Sequence, residues 1–552
     1  MRMALGESLL LYGLGAGAAA AFGLPALKSR LELSRAKHRS LAGHARLARR
    51  VAALVPGYAY GEDRFFSVDG APTEVERRRR DGFARLSSLY RTRYARTLAV
   101  TESAKEALSD LQFTAAYRVP FQFSAHVRQH LPVGAFLAES AGPILEDLDG
   151  NRFYDLAGSY GVNVFGHDFY KACMAEGAAR AARLGPVLGA YHPAVEYNVR
   201  RLRQVSGLDE VSFHMSGTEA VMQAVRLARY HTRRSHLVRF CGAYHGWWED
   251  VQPGVGNPLP SRTTYTLKDM DEDSLRVLAR RRDIACVLVN PVQALYPNSA
   301  APADGSLVDS GRRASFDRAK YAAWLARLRE ICSERGIALI LDEIFVGFRL
   351  APGGAQQYFG VRADMVTYGK TVAGGFPVGV VCGRREFMRR FDEARPADIC
   401  FARGTFNSHP YVMASMQVFL ERLGAMSHWY DGLDERWNAR AARLNRTLED
   451  AGLPVRVANL SSIWTVLYTR ASRYNWLFQY YLRANGLALS WIGTGRLIFS
   501  FDYTDDDFTA MADRFVAAAH AMERDGWWWS SPDATNRSIR RQILREMIRQ
   551  RL

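Results

Sequence analysis

Apolar positions between residues 190 and 425 fall into short buried runs separated by longer amphipathic stretches. The short runs predict β-strands at residues 211–214, 236–241, 286–289, 337–341, 365–368 and 378–382. The longer stretches predict helices over residues 218–232 and 321–335, the second ended by Gly336. This alternation with short connections is typical of an α/β domain with a mainly parallel sheet and right-handed crossovers.

The flanking regions have different patterns. Asp149-Gly150-Asn151 between two apolar runs predicts a β-hairpin at the start of the α/β region. The tail predicts a helix from Asn536. The chain is divided into residues 1–27 (apolar membrane-anchor candidate), 28–124 (basic helical extension), 125–190 (N-terminal part of a small domain and the domain entrance), 191–425 (large domain), 426–523 (C-terminal small domain) and 524–552 (Trp/Arg-rich amphipathic tail).

Charge is unevenly distributed along the 552 residues. The net charge is +17, of which residues 28–100 carry +10 and residues 524–552 carry +4, so the middle of the chain is nearly balanced. This distribution argues against a nucleic-acid groove across the main domain. It suggests instead that the two ends face something anionic, for example a membrane surface.

The six cysteines are scattered along the chain without a CxxC pair or His-rich spacing. This pattern indicates neither a structural zinc site nor a disulfide framework. We therefore expect buried free thiols in a cytoplasmic protein without a bound metal.

Residues 8–27 form a 20-residue stretch without a charged side chain, followed at once by Lys28 and Arg30. Three interpretations stay open: an anchor that spans or dips into a bilayer, a helix buried in this protein or its dimer, and a cleaved signal peptide. For an anchor, the following basic residues predict that the bulk of the chain stays in the cytoplasm, attached to the inner face of the membrane.

Two further clusters invite a membrane interpretation. Trp527-Trp528-Trp529 precedes a helix with Arg541, Arg545 and Arg549 on one face, which suits a membrane interface; the alternative is a tail that packs on its own dimer. The run 77–80 consists of four arginines. It is either part of a solvated helical extension or a docking segment for acidic lipid or a protein partner.

The candidate chemistry centres on two residues at predicted strand ends. Asp342 ends the run 337–341, and Lys370 follows the run 365–368. This pair suits pyridoxal 5′-phosphate (PLP): the lysine holds the cofactor as a Schiff base, and the aspartate pairs with the protonated pyridine nitrogen. Ser216-Gly217-Thr218 joins a strand to a helix, a junction that suits either a phosphate or a plain helix cap.

Seven short stretches carry a family resemblance. They occur at residues 158–167, 215–220, 242–246, 341–344, 347–349, 368–370 and 404–406. In their order and spacing they resemble the class III, fold-type I aminotransferases, and look most like the glutamate-1-semialdehyde 2,1-aminomutase branch. The resemblance implies a mainly parallel seven-stranded sheet in the large domain, a smaller α+β domain, a PLP cofactor and a homodimer.

The resemblance also implies roles for individual residues. Those matching cofactor-binding positions are Ser216, Gly217 and Thr218 at the phosphate, Tyr244 and Ile344 on the two ring faces, Gln293 at O3′, and Thr405 at the phosphate of the neighbouring subunit. One position departs from the pattern. Asn290 stands where the family usually has Glu, which puts the role of Gln293 in doubt.

Three positions bear on the substrate. Gly134 stands where the aminomutase pattern has the arginine that serves the substrate carboxylate. Tyr160 matches a pocket aromatic, and Arg496 falls where other class III enzymes bind the amino donor. These matches predict an aminotransferase that moves an amino group from an amino acid to an aldehyde or ketone, lipophilic or carrier-bound. The alternatives are an aminomutase acting on a different amino-aldehyde and a non-catalytic scaffold at a membrane.

Overall fold

The computed structural model describes residues 27–38, 41–117, 119–252, 254–257, 259, 262–295, 314–489 and 495–552. The strands are β1 (Leu137–Ala141), β2 (Ile144–Asp147), β3 (Arg152–Asp155), β4 (Glu210–His214), β5 (His236–Phe240), β6 (Thr264–Leu267), β7 (Ile284–Val289), β8 (Ala338–Asp342), β9 (Met365–Gly369), β10 (Gly379–Gly383), β11 (Phe391–Asp392), β12 (Arg395–Ile399), β13 (Val455–Leu460), β14 (Ile463–Tyr468), β15 (Leu487–Ala488) and β16 (Arg496–Ile498).

The large domain is built on a seven-stranded sheet in the order β4-β10-β9-β8-β7-β5-β6. The pairs from β9 to β6 are parallel, whereas β10 runs antiparallel to both neighbours. Every residue of β7, β8, β9 and β10 is buried, as expected for a sheet covered by helices on both faces. The predicted mainly parallel seven-stranded sheet is confirmed.

Helices surround this sheet and carry the chain between its strands. They are His167–Ala181, Ala194–Ser206, Gly217–Thr232, Glu272–Arg280, Arg318–Arg335, Gly354–Phe359, Arg385–Met388 and Pro410–Ala425, with short 3-10 turns at Gly158–Gly161, Pro291–Leu295, Lys370–Ala373 and Ser427–Tyr430. The helix Arg318–Arg335 ends at Gly336 in the left-handed conformation, as predicted.

The smaller domain combines two sheets with helices. The sheets have the orders β1-β2-β3-β15 and β13-β14-β16, and β11 pairs with β12 in a separate ribbon. The predicted hairpin is present, because β2 and β3 pair antiparallel across residues 148–151. The helices are Leu433–Asp450, Phe478–Ala484 and Asp505–Arg524, and the 3-10 turn is Asn475–Leu477.

The N-terminal region is helical and shares a core with the small domain. Its helices are 27–36, Ala45–Ala52, Glu62–Phe65, Thr73–Arg93, Ala95–Lys105, Ser109–Tyr117 and Phe121–His130, with a 3-10 turn at Leu41–Gly43. Phe65 and Phe123 pack with Tyr474 and Trp527 in one buried cluster. A helical extension was predicted, but its common core with the C-terminal domain was not.

Arg79 corrects the interpretation of the arginine run 77–80. It is fully buried, pairs with Asp69 at 2.7 Å and donates to the carbonyl oxygens of Phe66 and Gly526. Its guanidinium also stacks over the Tyr474 ring at 4.5 Å. Arg79 therefore links segments inside the protein and is not part of a solvated or lipid-binding surface.

The tryptophans of the tail are also in the interior. Trp527 and Trp528 are fully buried, and their indole N–H groups donate to Tyr481 Oη and Asn475 Oδ1. The expectation that they lie at a membrane interface is wrong for these two residues, because both side chains are packed in the core of this chain. The predicted terminal helix is confirmed as Asn536–Arg551.

The first described helix docks on the large domain. The Ala36 carbonyl oxygen accepts from the Lys268 amide at 2.8 Å, and Glu32 pairs with Arg280. Among the described residues no helix is both long and apolar enough to cross a membrane. The proposed anchor at residues 8–27 lies outside the described residues except for its last position.

Candidate active site

Lys370 lies at the carboxyl end of β9, in the centre of the large-domain sheet. It opens the 3-10 turn Lys370–Ala373 with a positive φ of 51°, in the left-handed region. Non-glycine residues keep this conformation only where surrounding structure imposes it, and such positions cluster at functional sites. On the adjacent strand, Asp342 is the ladder partner of Thr367, so the two strand ends bring Asp342 and Lys370 together.

The electrostatic environment of Lys370 favours a neutral amine. Its pKa is lowered to about 8, mainly by burial; Asp342 opposes the shift, and the positive charges of Arg349 and Arg496 add to it. An amine of this kind is a better nucleophile and base at neutral pH than an ordinary lysine.

Asp342 is held by a histidine that the sequence interpretation did not single out. His245 Nδ1 lies 2.7 Å from Asp342 Oδ2, and both side chains are buried. Burial lowers the pKa of His245, so the ring is neutral near pH 7, and the proton assigned to Nδ1 donates to the carboxylate. The Ile344 amide donates to Asp342 Oδ1 at 3.2 Å. These donors fix the position of the Asp342 carboxyl group.

The junction of β4 and the helix Gly217–Thr232 forms an anion cradle. Ser216 caps the helix, its Oγ accepting from the Glu219 amide at 3.3 Å. The first-turn amides of Gly217 and Thr218 have no acceptor within the helix and lie at the positive end of the helix dipole. A side chain at position 217 would collide with Ile344 Cδ1, 2.7 Å from an ideal Cβ, so only glycine leaves this space open.

Tyr244 and Gln293 are fixed by hydrogen bonds from one side of the site. Asn290 Nδ2 donates to the Tyr244 carbonyl oxygen at 2.9 Å, which gives a structural role to the residue that departs from the family pattern. Tyr244 is 62% exposed, and the charge of Asp342 together with burial raises the pKa of its hydroxyl. Gln293 is buried, and its Nε2 donates to the Cys241 carbonyl oxygen at 2.6 Å.

Ile344 forms another wall of the site. Its side chain lies between the phosphate cradle and the lysine turn, since ideal Cβ atoms on Gly217 and Gly369 would both press on it. Tyr244 and Ile344 come from different segments of the chain, and their placement on opposite ring faces stays a prediction.

A second cationic side chain lies near Lys370. Arg496, at the start of β16, places its guanidinium carbon 5.6 Å from the Phe345 ring centroid, and Lys370 Nζ lies 5.9 Å from the same ring. Phe345 also fills the space above Gly161, in the turn that carries Tyr160. Tyr160 is half exposed and has a positive φ of 56°. The structure thus brings the three predicted residues Lys370, Arg496 and Tyr160 around Phe345.

Arg349 connects the domains beneath the site. It is fully buried and donates to Ser462 Oγ and to the carbonyl oxygens of Phe499 and Asn163. These bonds tie the loop after β8 to the small domain that carries Arg496.

Two predicted positions lie elsewhere. Gly134 packs against the extension, where an ideal Cβ would stand 2.4 Å from Thr97 Cγ2. Its peptide oxygen accepts from Arg483 Nη2 at 3.1 Å. Thr405 lies in an exposed turn, and its expected contact with a neighbouring subunit stays a prediction.

The site contained residues that the sequence interpretation missed, chiefly His245 and Phe345. Each immediately follows a residue that was identified, Tyr244 and Ile344. A buried strand-end acid such as Asp342 needs a donor, and that need is the signal that could have pointed to His245.

These residues fit PLP. The open cradle at Gly217 suits a phosphate, the ionised Asp342 suits a protonated ring nitrogen, and the amine of Lys370 suits the aldehyde. No side chain would have to be rebuilt to supply these three functions.

Comparisons with known proteins agree. The chain matches the family described as Aminotransferase class-III over residues 123–250 and 317–519. It is 32% identical over 423 residues to a glutamate-1-semialdehyde 2,1-aminomutase of Nitratidesulfovibrio vulgaris (strain DP4), covering 73% of this chain and 97% of the relative.

Solved structures give the same result. An omega-transaminase from Sphaerobacter thermophilus has a TM-score of 0.64 at 25% identity, covering 79% of this chain and 99% of that one. A transaminase with PLP bound has a TM-score of 0.64 at 27% identity, covering 78% and 98%. The chain therefore belongs to the class III aminotransferase family of PLP-dependent enzymes.

Proposed function

We propose that this protein transfers an amino group from an amino acid donor to an aldehyde or ketone acceptor. The observation that carries the proposal is the placement of Lys370, with a pKa of about 8, between the Asp342–His245 pair and Arg496. The amine and the acid supply the proton chemistry of transamination, and the arginine supplies a place for a donor carboxylate.

The chain's residues have distinct tasks in this proposal. PLP, when bound, supplies an electron sink for negative charge developing on the substrate carbon. Asp342, which accepts a hydrogen bond from the Nδ1–H of His245, would hold the proton on the ring nitrogen. Lys370 Nζ, whose pKa is lowered to about 8, accepts the proton leaving the substrate carbon and later returns it.

The remaining predicted contacts hold and orient the cofactor. Ser216 caps the helix whose first-turn amides, at Gly217 and Thr218, bind the phosphate. Tyr244 and Ile344 pack against opposite ring faces. Gln293 serves O3′ in this proposal, with its amide oriented by the Cys241 carbonyl oxygen.

The donor is an amino acid rather than a simple amine. Arg496 is half-buried close to Phe345 and Lys370, so a carboxylate bound there leaves the adjacent amino carbon near the lysine. Arginine binds a carboxylate through two parallel hydrogen bonds, which also fixes its orientation. Tyr160 borders the same space from the turn before Gly161.

The acceptor is less polar than glutamate semialdehyde. The arginine of the aminomutase pattern is absent, and Gly134, which stands at its position, packs against Thr97 of the extension. The aromatic Phe345 instead presents an apolar surface beside Lys370. Both features favour a lipophilic or carrier-bound carbonyl compound.

A half-reaction screen tests this function. The PLP-loaded protein is mixed with alanine or with isopropylamine, and conversion of the cofactor is followed optically. Alanine is expected to react with much higher kcat/KM, and Arg496→Gln is expected to lower the value for alanine at least ~10-fold while leaving isopropylamine within about twofold. Arg514→Gln, in the small-domain helix Asp505–Arg524, is the matched control, because this partly buried arginine donates to the Gly486 carbonyl oxygen at 3.2 Å. Equal loss for both amines would contradict the role of Arg496.

An aminomutase acting on a different amino-aldehyde is the second candidate, favoured by the 32% identity to a glutamate-1-semialdehyde 2,1-aminomutase. Such an enzyme needs no separate donor. Purified protein given one amino-aldehyde alone would then turn over many times, whereas an aminotransferase would stop after a single turnover.

We further propose a homodimer. Thr405 lies in an exposed turn flanked by the exposed aromatic side chains of Phe401 and Phe406, and Trp247 near the site is exposed as well. Exposed aromatic groups of this kind are enriched at subunit interfaces. Sedimentation at micromolar concentration is expected to give twice the monomer mass, and Phe401→Glu is expected to reduce it.

A further inference from the structure

The terminal helix Asn536–Arg551 presents an outward face that combines exposed apolar and basic side chains. Leu544, Ile548 and Leu552 follow one another at intervals of four residues and are at least half exposed. Residues four apart lie on one side of a helix, so these three form an apolar stripe. Its solvent exposure is unusual for leucine and isoleucine on a well-packed domain.

Arginines flank this stripe on both sides. The exposed members on the helix are Arg537, Arg540, Arg541, Arg545, Arg549 and Arg551. In the described part of the chain, no acidic side chain lies within ion-pair distance of Arg537, Arg541, Arg545 or Arg549. None of the described carboxylates therefore neutralises these four charges.

The helix is held so that this face must point outward. Its one acidic residue, Glu546, is buried on the opposite side and paired with Arg473 at 3.0 Å and Arg64 at 2.8 Å. Ile539 and Ile543 are buried on that same side. The inner face thus belongs to the protein's own core, and the outer face is left for a partner.

The surface extends beyond the helix. Arg551 Nη1 donates to the Leu54 carbonyl oxygen at 2.5 Å, which joins the last helical turn to a loop where Leu54 and Val55 are exposed. Leu47, on the helix leading into that loop, is exposed too.

We propose that this face, defined by Leu544, Ile548, Leu552 and the surrounding arginines together with Leu54 and Val55, docks the protein on an anionic phospholipid bilayer. Apolar side chains in the centre and arginines along both sides match the interior and the headgroup region of one membrane leaflet. Each arginine near an anionic leaflet strengthens binding by roughly fivefold. The proposal does not depend on Trp527 or Trp528, which are buried.

The same face is poorly suited to bind a second copy of this chain, nucleic acid or an acidic protein. A second copy related by a two-fold axis would bring the arginines of one helix against those of its twin. Nucleic acid offers the charge but no apolar counterpart for the leucine stripe. An acidic protein would need a matching groove, whereas a bilayer accepts the stripe without one.

Flotation of the full-length protein with lipid vesicles tests the proposal. Binding is expected to vesicles of phosphatidylcholine with 30% phosphatidylglycerol, to be much weaker with phosphatidylcholine alone, and to fall with salt. Arg545→Glu/Arg549→Glu is expected to weaken binding ~30-fold or more. The matched control, Arg203→Glu/Arg327→Glu, removes the same charge from exposed helices of the large domain and should bind like the wild type.

A second variant and two further readouts make the result unambiguous. Leu544→Ser/Ile548→Ser keeps every charge and should also weaken binding severalfold, while both variants keep wild-type cofactor loading and thermal midpoint. The proposal fails if the wild type does not bind anionic vesicles, or if it binds equally well after either substitution pair. It fails as well if the variants instead lose self-association or binding to an acidic protein. Amino-transfer activity is measured separately, so failure here leaves the proposed function intact.

Discussion

The site around Lys370 and the shared core of the extension and small domain use arginine and aromatic residues in opposite ways. Arg496 and Tyr244 are both partly exposed. Arg79 and Trp527 are fully buried, and the protein itself supplies every contact. The difference teaches that residue type alone does not reveal a site; what matters is how deeply the side chain is buried.

The largest effect on activity is expected from replacing Lys370. Lys370→Ala should reduce turnover by at least ~10³-fold, because it removes both the point of cofactor attachment and the proton carrier. Steady-state kinetics with an amino donor give the value. Lys320→Ala, on the exposed face of the helix Arg318–Arg335, should retain full activity. Residual activity within tenfold of the wild type would contradict the assignment.

Replacing Asp342, the acid beside Lys370, should lower turnover nearly as much. Asp342→Asn keeps the shape but removes the negative charge that holds a proton on the ring nitrogen, so kcat should fall ~10²-fold or more. His245→Phe removes only the Nδ1–H donor at 2.7 Å, and a smaller loss of ~10-fold is expected. If the histidine variant lost as much as the aspartate variant, His245 would have a direct role instead of a positioning one.

The lowered pKa of Lys370 predicts a pH dependence of cofactor uptake. Only the neutral amine attacks an aldehyde, and a pKa of about 8 leaves about a tenth of the amine neutral at pH 7 and about nine tenths at pH 9. The rate at which cofactor-free protein takes up PLP should therefore rise ~10-fold over this interval and then level off. Stopped-flow absorbance measures it. A rate still rising steeply at pH 10 would mean that the amine is not perturbed.

Replacing the buried Arg79 tests the other region of the comparison, the shared core of the extension and small domain. Arg79→Ala leaves Asp69 and two carbonyl oxygens without their donor, and should cost about 3–5 kcal/mol of the free energy of unfolding. Arg77→Ala, two residues away, breaks only exposed pairs with Glu74 and Asp81 and should cost far less. Denaturant unfolding of both variants gives the values. Equal costs would contradict the burial of Arg79.

Much of the α/β domain could be predicted because each strand and helix has its own apolar period. The strands at Asp342 and Lys370 were located to within a few residues, and their carboxyl ends meet at one edge of the sheet. The direction of β10 could not be predicted, because its apolar run is the same whichever way the strand points. The six cysteines were expected to be buried, and they are.

The environment of Arg79, Trp527 and Trp528 could not be predicted, for a different reason. Their partners lie far away in the chain, such as Gly526 for Arg79 and Tyr481 for Trp527. A run of arginines or tryptophans has the same local sequence whether it faces solvent, lipid or another helix. Only the tertiary packing of the extension on the small domain decides between these cases.

Chemical trapping of the cofactor tests the central claim most directly. The full-length protein is loaded with PLP, reduced with borohydride, digested and mapped by mass spectrometry across its seven lysines. The account predicts that the pyridoxyl mass appears on the peptide containing Lys370 and that Lys370→Ala abolishes it. Stoichiometric labelling of any other lysine, with Lys370 unmodified, would contradict it.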